Sequence, residues 1–253
     1  MKLGPAMPGA AVLMCVLALS GCDHSEQDRS PIVSETREAG EFDSISLRGS
    51  AQLEVQIGSP ASISIEGRQR TLSHVSTDVD DDTLMIRTSR KGWVSDDLKI
   101  KVTVPKLAEL RLEGGNDVRL VGFDGGTATI DIEGAANIHA TGRLDELTVH
   151  MSGAGRADLR ELVTNDAKVT VDGVGSVHVN STGSLDATMN GVGAILYSGS
   201  PHSVSTSMNG IGTISRDRKR SQPEAEQNAP IDPDTLQPEY EKNEVATGLT
   251  EVI

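Results

Sequence analysis

From residue 112 onward, apolar side chains alternate with polar ones around a glycine that returns at a nearly fixed interval. The glycines are Gly114, Gly134, Gly153, Gly173, Gly191 and Gly210, with steps of 20, 19, 20, 18 and 19 residues. Two positions before each stand Leu112, Ile132, Met151, Val171, Met189 and Met208; four positions after stand Val118, Ile138, Ala157, Val177, Ile195 and Ile214. A period of two is that of a strand with one buried face. The residue just before each glycine is polar in every copy (Glu113, Glu133, Ser152, Asp172, Asn190, Asn209), which turns the other face to water. Two positions after each glycine the residue is small or short: Asn116, Ala136, Gly155, Gly175, Gly193 and Gly212. Small residues at both sites predict a bend where backbone approaches backbone.

A strand, a Gly-x-Gly corner and a second strand, repeated about every 19 residues, predict an all-β fold: a parallel β-solenoid, right-handed β-helix-like, whose coils stack in register. Six coils at the usual strand spacing would make a rod of about 29 Å. Antiparallel hairpins turning at the Gly-x-Gly are the alternative. The solenoid accounts more simply for Val171 stacking on Met189, Met189 on Met208 and Asn190 on Asn209. Upstream, Ile45, Leu47, Gly49, Ala51, Leu53 and Val55 keep the same parity, and Ile63, Ile65 and Gly67 read as the start of another copy. The interval breaks between Arg68 and Asp97, where Val75 to Val79, Asp80-Asp81-Asp82 and Leu84 to Ile86 read as strand, turn and strand. Alternation returns from Lys99 to Val104.

The chain's two ends differ from this middle. Met1-Lys2, an apolar run from Ala10 to Leu19, and Leu19-Ser20-Gly21-Cys22 have the layout of a short secretory signal. The run is too short to span a bilayer, which takes about 20 residues. Leu19-Ser20-Gly21-Cys22 resembles the lipobox of bacterial lipoproteins. That resemblance implies cleavage before Cys22, acylation of its thiol, and a head held to a membrane by several acyl chains. Cleavage removes Cys15 and leaves Cys22 without a disulfide partner. Residues 22–40 then read as anchor and linker. Residues 218–253 read as a disordered acidic tail, with eight carboxylates from Glu224 to Glu251 against Lys242, and Pro223, Pro230, Pro233 and Pro238 between them.

Charge and composition narrow the function. A formal net charge of -14 and 2% aromatic residues leave neither a phosphate-binding surface nor stacking platforms, so nucleic acid is excluded as a partner. Asp78, Asp80, Asp81 and Asp82 do not form a calcium loop, because positions six and twelve from Asp78 are Thr83 and Ser89. His139 and His178 share the outward position five after the repeat glycine. They are two coils apart, roughly 9.5 Å, which is too far to share an ion. Neither a metal nor a cofactor is expected. No Gly-x-Ser-x-Gly elbow or Walker loop is present, and no catalytic residue is assigned. An enzyme reading can still be assembled: polysaccharide lyase chemistry would draw on Asp131, Glu133, Asp158 and Asp172, with Arg119, Arg143 or Arg156 as the base. Trp93, with Arg90 and Lys91 beside it, has the chemistry of a ligand contact at a loop tip; packing over an open end of the core is its other reading. Arg216, Arg218, Lys219 and Arg220 follow the last coil, as an end cap or a contact to anionic lipid or glycan.

Several segments in order carry a family resemblance: Phe42 to Ile45, Asp82-Thr83-Leu84-Met85-Ile86, Ile100 to Leu107 leading into Leu110 to Gly114, and the repeated Asn-Gly-Val-Gly and Asn-Gly-Ile-Gly. Residues 41–217 resemble the head GIN domain family, an auto-transporter adhesin-type domain of secreted and lipid-anchored bacterial proteins. The resemblance implies a β-solenoid-like head and brings no site residues with it. The expectation is a non-catalytic, envelope-exposed module, lipid-anchored and facing the periplasm or cell exterior, that binds a glycan, a surface polymer or an envelope protein. A carbohydrate-active solenoid enzyme and a periplasmic sensor or assembly partner acting through the tail are the alternatives.

Overall fold

A computed structural model describes residues 30–38, 40–88 and 98–217. The chain lays down β1 (Ile32–Arg37), then β2 (Ser44–Arg48) and β3 (Ala51–Ile57) on either side of Gly49. There follow β4 (Ser62–Arg68), the single-turn α1 (Gln69–Leu72), and a hairpin of β5 (Val75–Asp80) and β6 (Thr83–Thr88). It resumes with β7 (Lys99–Val104), β8 (Glu109–Glu113), β9 (Gly115–Asp124) and β10 (Thr127–Ile132). Two long strands, β11 (Ala135–Met151) and β12 (Ala154–Val171), each run along one face and round onto the other. The last coils are β13 (Val174–Ser181) with β14 (Ser184–Met189), β15 (Val192–Gly199) with β16 (Ser203–Met208), and β17 (Ile211–Arg216).

The pairings resolve into two parallel faces of one solenoid. On the first, β7, β3, β9, the first part of β11, the first part of β12, β13, β15 and β17 follow one another. On the second, the order is β6, β2, β8, β10, the remainder of β11, the remainder of β12, β14 and β16. The repeat residues stack as their spacing predicts: Val171 pairs with Met189 and Met189 with Met208. Leu112, Ile132, Met151, Val171, Met189, Val118, Ile138, Ala157, Val177 and Ile195 are all buried in the single core between the faces. The parallel solenoid, and not the hairpin alternative, is therefore the fold of the repeat region.

One corner is built from glycine because nothing larger fits. A Cβ on Gly153 would lie 1.9 Å from the carbonyl oxygen of Gly134 in the coil below. A side-chain ladder runs beside it: Asn190 Nδ2 donates to Asp172 Oδ1 at 2.6 Å, and Asn209 Nδ2 to Asn190 Oδ1 at 3.0 Å. The opposite corner uses buried hydroxyls instead. Thr164 Oγ1 donates to the Asn180 carbonyl at 3.0 Å, and Ser181 Oγ to the Asn165 carbonyl at 2.9 Å. Each supplies a partner that the bent backbone has lost.

The structure departs from the sequence reading at the N-terminal end. Ile63, Ile65 and Gly67 lie on β4, which runs antiparallel to β7 and so is not another coil. Ile32–Arg37, read from the sequence as part of a linker over 22–40, forms β1, antiparallel to β4. The second face closes the same way, with β5 antiparallel to β6 across a two-residue turn in which Asp81 (φ 46°) and Asp82 (φ 61°) take left-handed conformations. Leu72 on α1 is buried in the core, and Arg37 donates to the Val75 carbonyl at 2.9 Å and to Thr77 Oγ1 at 3.0 Å, tying β1 to β5. Antiparallel strands thus close the edges at this end, as a stacked fold requires. Among the described residues nothing covers the other end: β16 is exposed along its whole length, and Met208, on the core parity, is 41% exposed.

Candidate ligand-binding face

In-register stacking turns each position of the repeat into a column along the solenoid. Five residues after the glycine, the outward column on the first face reads Arg119, His139, Asp158, His178, Leu196, Ser215. His139 and His178 are therefore separated by Asp158, as their spacing predicts. Arg160 grips Asp158 through both oxygens, its Nε donating at 2.8 Å and its Nη2 closing the pair. That grip, aided by the Arg160 backbone N–H, holds the Asp158 carboxyl down at about 2. Burial of the His178 ring, with the Arg160 charge nearby, lowers its pKa below the usual histidine value. Asp158 and Asp217 pull the other way without winning: Asp158 is already paired, and Asp217 Oδ2 is 3.9 Å from His178 Nδ1, beyond hydrogen-bonding distance.

The carboxylates of the enzyme reading are not brought together. Asp131 lies on β10, on the second face, 3.9 Å from Arg111. Asp158 is on the first face, and Asp172 sits at the glycine corner, 3.6 Å from His150. Among the described residues no group of three or more His, Cys, Asp or Glu side chains is arranged to hold a metal ion. Cys22, Trp93, Arg90, Lys91 and the acidic tail lie outside the described residues. Arg216 laces the end of the last coil, donating to the Gly199 carbonyl at 2.6 Å. No described helix is long and apolar enough to cross a membrane.

A groove runs along the glycine corner of the first face. The column one residue after the glycine grows along the solenoid: Ser50, Gly115, Ala135, Ala154, then Val174, Val192, Ile211. Where the column is small, a cavity of about 420 Å³ opens, bordered by Gln52, Asp117, Asn137 and Asn116. A second cavity of about 260 Å³ adjoins it through Gln52 and Asp117 and continues over Glu54, Lys101 and Arg119. Asn116 is 6% exposed; its Oδ1 accepts from the Ala51 N–H at 3.3 Å, and its Nδ2 has no hydrogen-bond partner. The sequence reading passed over this groove, although two signals for it stand in the repeat: the size gradient of one column, and Asn116 as the one polar member of the next.

Comparison with known proteins agrees with this architecture. The family model described as "Putative auto-transporter adhesin, head GIN domain" matches residues 41–201. The crystal structure of a "putative adhesin" from Bacteroides fragilis is similar at a TM-score of 0.57 and 24% identity, covering 74% of this chain and 97% of that one. A "putative lipid binding protein" from Parabacteroides distasonis aligns at 20% identity and a TM-score of 0.39, over 75% of this chain and 98% of that one. A "putative adhesin" from Parabacteroides merdae aligns at 17% identity and a TM-score of 0.43, over 75% and 98%. No curated protein matches the chain.

Proposed function

The chain belongs to the head GIN domain family, and from that membership we propose that it is a non-catalytic envelope module, lipid-anchored through Cys22, whose first face binds an extended glycan. The family's adhesin-type description supports an extracellular or envelope-associated protein. The observation that carries the binding reading is the state of the backbone along that face. Its amides and carbonyls are consumed by the stacking of coils, so recognition falls to outward side chains, which on β9 and the first parts of β11 and β12 include the polar Asp117, Arg119, Asn137, His139, Arg156 and Asp158, whereas Val174, Val192 and Ile211 are exposed farther along. A flat array of amides, carboxylates and guanidinium groups presents both donors and acceptors, which is what hydroxyl-rich ligands require.

The lyase reading has less support, since Asp131 and Asp158 stand on opposite faces and Asp158 is held by Arg160. The test applies the chain from residue 22, with Cys22→Ser, to an array of bacterial and host oligosaccharides, with unsaturated uronic acid products followed by absorbance on the same sugars. Binding without product is expected; turnover overturns the non-catalytic reading. Anchoring is tested by metabolic labelling of the full chain with a clickable fatty acid. Label that disappears in Cys22→Ala is expected, and an unlabelled wild-type chain refutes the anchor.

A further inference from the structure

We propose that residues 244–249 dock on β16 as one further parallel strand, with Val245 over Val204, Thr247 over Thr206 and Leu249 over Met208, so that a segment of the chain itself closes the solenoid at this end. The need for a cover comes from the second face. There Leu185, Ala187 and Met189 of β14 are buried, and β16 pairs over all three. One coil farther the same columns come to the surface, with Val204 and Met208 each 41% exposed. Among the described residues β16 pairs only with β14, so no strand meets the N–H and C=O groups of its outer edge. Apolar side chains and an open ladder on one six-residue edge together fit an added β-strand. An apolar ligand without backbone groups leaves the ladder unmet.

The residues directly after β17 do not supply that strand. Val204 comes seven residues after Tyr197, and the same step from Arg216, which pairs with Tyr197, reaches Pro223, then Ala225 and Gln227. Proline has no N–H to give the ladder, and glutamine over Met208 brings an amide to a core column. Residues 244–249 read otherwise. Val245-Ala246-Thr247-Gly248-Leu249 repeats the pattern of Val204-Ser205-Thr206-Ser207-Met208, and the spacing apolar-x-Thr-x-apolar occurs nowhere else in 218–253. Stacked in register, like meets like in all three columns, as Met208 on Met189 already does.

Position, charge and size favour this segment over a second copy of the chain. β17 ends at the corner from which β16 starts: Arg216 Nη2 donates to the Gly199 carbonyl at 2.6 Å and to Ser200 Oγ at 3.3 Å. The chain thus leaves the solenoid beside the edge in question, and the 27 residues from 218 to 244 reach on the order of 30 Å as a flexible coil, ample for the return. Arg216, Arg218, Lys219 and Arg220 make that exit basic, while eight carboxylates from Glu224 to Glu251 stand against Lys242, an attraction that steers the segment back. The edge itself covers about 200 Å² at the usual strand rise and sheet spacing, well below the roughly 800 Å² per partner of a stable association. A tether relaxes that requirement, because it holds the segment at about millimolar effective concentration.

The experiment follows hydrogen–deuterium exchange across β16 in the chain from residue 22 with Cys22→Ser. Truncation after Asn243 and, in the untruncated chain, Leu249→Asp are each expected to speed that exchange at least about tenfold, while β11 around Val149 keeps its rate. A single docked strand still opens more readily than the stacked middle of the rod. The pair Ser205→Cys with Ala246→Cys, which the proposed register sets at the strand spacing of about 4.8 Å, is expected to close an intramolecular disulfide under mild oxidation. It should do so at least about tenfold faster than Ser205→Cys with Gln227→Cys, although the latter closes the shorter loop. Equal β16 exchange in the wild type, the truncated chain and Leu249→Asp overturns the docking, as does closure with Gln227→Cys at an equal or greater rate. Protection of β16 that rises with protein concentration and survives the truncation assigns the edge to a second copy and overturns it as well.

Discussion

Replacing Gly173 by alanine tests the stacked corner more directly than any core truncation. A Cβ built there lies 1.7 Å from the carbonyl oxygen of Gly153 and 2.7 Å from that of Ser152, both backbone atoms that cannot rotate away. Reaching even a 3.0 Å separation from the nearer oxygen requires the two coils to part locally by about 1.3 Å. The bonds crossing that gap are short: the Val174 N–H donates to Gly153 O at 2.9 Å and the Gly173 N–H to Met151 O at 3.1 Å. Stretching both by that amount takes them out of bonding range. Losing two backbone bonds costs about 1–3 kcal/mol, and forcing the coils apart about 1–3 kcal/mol more. The expected loss is about 4 kcal/mol, or a fall in melting temperature on the order of 10 °C for a domain of this size.

The control is Gly40→Ala, where nothing lies within 4 Å of the added Cβ. Gly126→Ala separates a second effect: it also has open space, but its φ of 83° makes any side chain strained, an expected cost of about 1–2 kcal/mol. The three variants should rank Gly40, Gly126, Gly173 in urea unfolding followed by circular dichroism. If Gly173→Ala lies within about 0.5 kcal/mol of Gly40→Ala, the margin for an innocuous surface change, the close approach of the two coils is refuted, and with it the explanation of the repeated glycine.

Two further outcomes follow from the ends and the charges of the solenoid. Amides of β16 and β17, which have no outer strand among the described residues and carry exposed Val204, Met208 and Ile211, should exchange with deuterium at least about a hundredfold faster than those of β11 around Val149, because edge strands open at low free energy; equal protection at both places would sink that reading. His178 has a folded pKa below its unfolded value of about 6.5, so the unfolded chain binds its proton first and stability falls as pH drops from about 6.5 toward the folded value. Urea midpoints between pH 8 and 5 should therefore decline less in His178→Gln than in the wild type, and parallel declines would contradict the assigned burial.

How far the fold could be read in advance depended on what alternation encodes. A period of two states which side chains face the core, and it placed Leu112, Ile132, Met151 and their partners correctly because every coil repeats the same bend. It says nothing of strand direction. Ile63 and Ile65 keep the parity of a coil yet lie on antiparallel β4, since a strand reversed end for end presents the same alternating faces. Nor does it say in what order coils stack. The coil of β2 and β3 comes first in the chain but is sandwiched between β6 with β7 and β8 with β9. Only the long excursion through β4, α1 and β5 makes room for that order, and its residues carry no repeat. Ile32–Arg37 escaped notice as a strand for a related reason: it is held by backbone pairing to β4 with Ile32 largely exposed, so burial left little mark on its sequence.

The surface was legible to the same degree and failed for a similar cause. Asp131 and Asp158 both point outward and look like neighbours in a list of polar positions, but a corner intervenes within β11 and sends them to opposite faces. Columns are the safer unit of inference, because in-register stacking converts equal repeat position into physical adjacency at the strand spacing. Read as columns, the residues one and two after each glycine already mark where the corner is hollow and where it is filled. Ser50, Gly115, Ala135 and Ala154 give way to Val174, Val192 and Ile211 at the point where the groove closes. A repeat that conserves its core while grading one outward column along the axis varies the one property that stacking leaves free, and that is where a ligand-binding difference between coils can be written without disturbing the fold.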